Sequence, residues 1–175
     1  MASIEQVKAE LAQAAEQCNA TTNQIRAAIE GTEQVLSRLR AVAAGTGHPA
    51  ISEAINRAEQ SKQRLIEAAT VLAGSTQAAR QYISILGWPV SIGEIKAALN
   101  EANYLLEQGK TKIAGVGTAL EDVSALLLST LHDSQRTEAA QARKAIADAV
   151  REVKLSLRAI ATAQDSGNGY RKVLG

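Results

Sequence analysis

The chain has 175 residues, 46% of them hydrophobic but only 2% aromatic, with no Phe, one Cys, and 19 basic against 18 acidic residues. That length supports one ordinary domain with a real core. The near-neutral, interspersed charge gives no ground for a nucleic-acid binder or a polybasic membrane anchor, and a lone cysteine rules out an internal disulfide.

Roughly one residue in five is Ala, and there are only two prolines. Ala, Leu, Gln, Glu, Lys and Arg are the strongest helix formers. A core of Ala, Leu, Ile and Val without aromatic bulk suits helices packed closely along their length. The opening MASIEQVKAEL lacks a charged segment ahead of an apolar one, which predicts no cleavable signal peptide. No uninterrupted run of about eighteen apolar residues occurs, so no transmembrane segment is predicted. The expected location is the cytoplasm, or outside the cell by a route without a cleavable signal.

In chain order, the first segment sets Ile4, Leu11, Cys18, Ile25, Thr32 and Leu39 at heptad position a, with Val7, Ala14, Thr21, Ala28, Val35 and Val42 at d. Sustained over this many heptads, the pattern predicts one long helix with a single apolar seam. GTGHPA (Gly45–Ala50) combines Gly, Pro and polar residues and reads as a turn. The second segment has Ile51, Ala58, Leu65, Leu72, Ala79 and Leu86 at a, against Ala54, Ser61, Ala68, Ser75 and Tyr82 at d. GWPVS follows: Gly87 suits a helix C-cap, Pro89 stops the chain, and Ser91 with Glu94 forms a capping box.

The third segment places Ile92, Leu99, Leu106, Ile113, Leu120 and Leu127 at a, with Ile95, Ala102, Gly109, Val116, Val123 and Thr130 at d. It predicts an outgoing helix of about forty residues, about 60 Å long like the first. HDSQRT (His132–Thr137) is the second turn, with Thr137 as N-cap. The fourth segment sets Ala139, Ile146, Val153, Ile160 and Leu174 against Ala142, Ala149, Ser156, Ala163 and Tyr170. The small d layers of the returning helices allow close approach of axes. DSGNG (Asp165–Gly169) conflicts with this pattern and predicts a break or kink.

The two halves are copies. Ser3–Gly87 aligns with Ser91–Gly175 without a gap, at about fifteen identities, and the matched ends and lengths weigh more than the identities in an Ala-rich chain. The starts read SIEQVKAEL and SIGEIKAAL, the ends YISILG and YRKVLG. The chain is therefore expected to be all-α: residues 1–87 and 88–175 form two tandem long antiparallel hairpins packed as one up-down-up-down four-helix bundle. Apolar residues beside the seam carry the side-by-side arrangement: Ile29, Leu36, Ile55 and Ile83 in the first copy, and Leu126, Leu128, Val150 and Leu157 in the second. They widen each stripe to suit two neighbours. In independent hairpins they would instead form a partner-binding face, so Ile29, Leu36, Ile55, Ile83, Leu126 and Leu128 are candidate partner contacts. Trp88, the only Trp, joins them as a surface anchor or else plugs the end of the bundle. Tyr82 and Tyr170 are expected to cap the core with hydroxyls toward water.

Little resembles catalytic chemistry. His48 and His132 lie near the hairpin tips without ligand partners at useful spacing. Cys18 is a seam residue and reads as a small buried hydrophobe. Glu33 and Glu121 recur at equivalent positions and read as exposed flank charges rather than a carboxylate pair. Gly115-Val116-Gly117 lies within a helical pattern and lacks the Lys of a phosphate loop. No cofactor, metal or catalytic residue is expected, and the chain is not read as an enzyme.

The stretches SIEQVKAELAQAAEQ, AAGTGHPAISEAI and ARQYISILG resemble helical N-terminal segments of actinobacterial polymorphic toxins, including those ahead of deaminase-type domains, and small stand-alone actinobacterial helical proteins. Each copy is also similar in size to WXG-type export substrates. No Trp-x-Gly stands at either hairpin tip, however, and Tyr-x-x-x-Asp/Glu is absent: Tyr82, Tyr104 and Tyr170 lead to Leu86, Gln108 and Leu174. The resemblance implies a non-enzymatic delivery or adaptor module, handled by a type VII-like export system. Its partners would be proteins with helical surfaces, with self-association left open. The alternative is an amphipathic protein that coats lipid or granule surfaces, of the phasin or apolipoprotein kind.

Overall fold

The computed structural model describes residues 4–85, 91–131 and 136–174. Trp88, His132 and Leu86 lie outside them, as do the side chains of Ile4, Val7 and Tyr170. Helix α1 spans Ile4–Ala44, α2 Pro49–Ile85, α3 Ile92–Ala114, α4 Val116–Leu131 and α5 Thr137–Val173. The described residues are helical throughout apart from turns and caps. The protein is an all-α bundle of two antiparallel hairpins, α1–α2 and α3/α4–α5.

The seam register explains the packing. Ile25, Leu39, Leu65, Leu72, Ile113, Leu120, Leu127, Ile146 and Ile160 are all fully buried, and they join one core cluster fed by every helix. Helix α1 packs on α2 and on α5, while α2 packs on α3 and α4, which pack in turn on α5. Each rod therefore has two neighbours, as the widened stripes require. The hairpins lie side by side, and the interface between α1 and α5 joins one copy to the other.

Hydroxyls share the seam with aliphatic residues because they can bond to their own helix. Thr32 donates to the Ala28 carbonyl at 2.8 Å, Ser61 to Arg57 at 2.9 Å and Ser156 to Glu152 at 2.9 Å. Satisfied in this way, Thr32, Ser61 and Ser156 sit buried at small cost while keeping the layer thin.

Several details depart from the sequence reading. Helix α5 runs unbroken through Asp165–Gly169, where a kink was expected. Gly167 is buried there, and a Cβ on it would lie 2.8 Å from Asn103 Oδ1, so the glycine makes room for α3. The Asn103 amide also donates to Asn168 Oδ1 at 3.2 Å, and this packing outweighs the poor local helix propensity. The third rod is two helices rather than one, interrupted at Gly115, where Gly115 and Gly117 weaken the helix locally. Arg64 Nη1 lies 3.2 Å from where a Gly115 side chain would begin. Thr137 is the first residue inside α5; the Ala139 and Ala140 amides bond back to the Arg136 carbonyl, which makes Arg136 the N-cap residue. Ile92 is 50% exposed at the first turn of α3, so that rod's seam begins at Ile95.

The Ser91–Glu94 capping box forms: the Ser91 amide donates to Glu94 Oε2 at 2.7 Å and the Glu94 amide to Ser91 Oγ at 3.3 Å. Pro49 opens α2, where its missing N–H costs nothing. His48 caps that turn, its Nδ1 accepting from the Ala50 amide at 3.2 Å.

Candidate interaction surface

The side positions are mostly consumed by the bundle. Leu36 is 2% exposed. Ile29, Ile55, Leu126 and Leu157 are partly buried against the main core, and Ile83 packs against a smaller end cluster of Leu11, Ile95 and Leu99. Val150 is buried. Leu128 alone among the described candidates stays open, at 48% exposure. Hairpin-on-hairpin packing therefore covers the stripe that an isolated hairpin would offer to a partner.

Residues with reactive chemistry hold structural positions. Cys18 is buried with its Sγ 3.8 Å from Ser75 Oγ. Burial raises its thiol above the ordinary range, and the Ser75 hydrogen bond only partly counters this. Glu33 pairs with Lys62 at 2.9 Å and Glu121 with Lys154 at 3.3 Å, each within its own hairpin. The two carboxylates thus serve as equivalent ties between outgoing and returning helices. Glu67 is held below the usual carboxylate range, first by the Lys112 ammonium across the hairpin boundary and then by the Gln63 amide. No group of three or more potential metal ligands gathers among the described residues. His48 is exposed at its tip and has the capping role already given.

Two surfaces stand out among the described residues. One lies along α4 and α5, where Leu128 and Leu155 are 48% and 38% exposed and a shallow depression is lined by Ser124, Ala147 and Val150. The stretch Ile92–Leu131 is also long and apolar enough, by length and composition, to cross a membrane, and only 28% of its most apolar part is buried. The acidic Glu121 and Asp122 interrupt that part, so it does not form an unbroken apolar run in the sequence.

The other surface is an open groove of about 550 Å³ between α1 and α2, lined by Asn19, Arg26, Gln77, Arg80, Gln81 and Ser84 among others. Counting charges over the whole chain conceals it. The signal was local: Gln17–Ile29 and Ala68–Ile85 contain no Asp or Glu. The folded hairpin brings these two acid-free stretches together.

No family model matches the chain, and neither a curated protein nor a solved structure matches it.

Proposed function

We propose that the protein is a non-enzymatic helical interaction module, an adaptor whose partners present helical surfaces. The observation that carries this reading is the packing of α1 on α5. Two repeats of one hairpin associate through complementary stripes of small and aliphatic residues, and the same geometry between chains is a standard mode of helical recognition. The resemblance to toxin-associated helical segments supports a finer version, in which the partner belongs to a toxin delivery or export pathway. In-cell crosslinking followed by capture should return a defined helical protein. Recovery of no specific partner under conditions that preserve the fold would count against the reading.

A second reading is favoured by the apolar stretch in Ile92–Leu131 and the exposed Leu128 and Leu155. It makes the protein a coat for lipid or granule surfaces, with the hairpins parting to expose their seams. Flotation with vesicles separates the two: an adaptor stays in the dense fraction, whereas a surface coat rises with the lipid.

A further inference from the structure

The α1–α2 groove has an internal control, because the repeat supplies the same location twice. In the first copy its floor is formed by Thr22 and Thr76, both buried and both bonded to their own helix, at 3.0 Å to the Cys18 carbonyl and 3.3 Å to the Leu72 carbonyl. Neither hydroxyl proton is left to seek a ligand. The walls carry Arg26 and Arg80, both exposed. Arg26 donates only to Asn23 Oδ1, at 3.3 Å, and no ion pair engages either guanidinium among the described residues.

In the second copy the equivalent positions of Asn19, Arg26, Gln77 and Arg80 are Glu107, Ala114, Asp165 and Asn168. That face satisfies itself. Glu107 accepts from the Gln164 amide at 2.7 Å and pairs with Lys110 at 3.7 Å. One hairpin carries two carboxylates and no arginine at these positions; the other presents two arginines and several amides with no carboxylate among the lining residues.

We infer that the α1–α2 groove is a docking site for an acidic, helical segment of a partner protein, with Arg26 and Arg80 receiving its carboxylates. Guanidinium is suited to this role because its planar fork accepts a carboxylate in bidentate fashion. The shape favours a segment over a small ion. From Ala73 to Ser84 the wall runs about 16 Å along α2, about three turns of a helix laid alongside. Asn19, Gln77 and Gln81 would hydrogen-bond polar side chains at its margins. The inference deepens the proposed interaction role and rests on it.

The test uses the full chain and a fluorescein-labelled Glu/Ala helical peptide with Glu at three- and four-residue spacings, alongside its Gln-for-Glu twin. Saturable anisotropy at low salt is expected for the Glu peptide only. Affinity should fall by about tenfold in the double variant Arg26→Glu/Arg80→Glu, the worth of two exposed charge-assisted pairs. The charge-matched control Lys144→Glu/Arg158→Glu, at exposed sites outside the groove, should bind as the parent does. Circular dichroism should show equal helix in all three proteins, and Arg26→Gln/Arg80→Gln should give an intermediate loss. No saturable binding, or equal loss in the control, would overturn the site. Displacement of the peptide by millimolar inorganic phosphate, or arginine-dependent flotation on anionic vesicles without peptide binding, would overturn the occupant. A cellular partner captured equally well by the parent and by Arg26→Glu/Arg80→Glu would overturn the groove while leaving the adaptor role standing.

Discussion

Gly31 on α1 faces the backbone of Ala149 on α5 so closely that a Cβ on Gly31 would lie 3.3 Å from the Ala149 Cα. This contact lies between the copies, and the neighbour is main chain that cannot rotate away. Replacing Gly31 by Ala sets a helix-propensity gain of about 1 kcal/mol against this crowding, and the two should nearly cancel. Gly31→Leu should cost about 1–3 kcal/mol through overpacking. Gly74, with nothing within 4 Å of its would-be Cβ, supplies the contrast: Gly74→Ala should stabilise by about 0.5–1 kcal/mol. Urea denaturation of the three variants checks the set. A Gly31→Leu protein as stable as the parent would mean that the hairpins sit farther apart.

Leu65 and Ala142 test the two sides of the seam, and both are wholly buried. Leu65→Ala should lose about 2–5 kcal/mol by leaving a cavity. Ala142→Leu should lose about 1–3 kcal/mol by forcing a larger side chain into the small-residue layer, although Ala and Leu differ little in helix propensity. If either change proves neutral in denaturant titrations, that residue lies outside the close helix contact.

Cys18 should resist thiol reagents in the folded protein. Its thiol is buried and raised above the ordinary range, chiefly by desolvation, so reactive thiolate is scarce at neutral pH. A folded-state value raised above the unfolded one gives stability that is complete below the unfolded value and lost as pH climbs through the folded one. Labelling by an aromatic disulfide should therefore be slow natively and rapid in denaturant. Immediate stoichiometric labelling of the native protein would place Cys18 on an accessible surface.

Glu94 and Glu67 shape the acid limb. Glu94 is lowered by the Ser91 amide and then the Ser91 hydroxyl, and Glu67 by Lys112 and then Gln63. Lowered folded-state values give stability that is present above the ordinary carboxylate range and lost as pH falls below it. Between neutral pH and the acid range, Glu94→Gln should flatten the decline in melting temperature. The α3 capping box itself should persist in the variant, because a glutamine amide oxygen can still accept from the Ser91 amide. An unchanged acid limb in the variant would show that the box does not survive in solution.

Residues 1–87 expressed alone should self-associate, because Leu36 and the α1 stripe that packs on α5 would face water. Sedimentation velocity distinguishes a dimer or larger assembly from a monomer. A stable, well-folded monomeric hairpin would show that its side positions are satisfied without the second copy.

The heptads from Leu11 to Val42 and from Ile51 to Ala79 were sufficient to define the rods and their buried stripes. A 3.5-residue period sustained over several turns leaves one face that must leave water. The Ser91–Glu94 box was equally legible, because its bonds span only three residues. Other features depended on partners distant in sequence. Nothing near DSGNG reveals that Gly167 and Asn168 meet Asn103, yet that packing carries α5 through a segment of poor propensity. Likewise, Arg26 and Arg80 look like ordinary members of a balanced charge distribution until the hairpin closes. Local sequence determines which face of each helix avoids water; the folded arrangement decides which helix covers it, and so which polar side chains are left without a counter-charge.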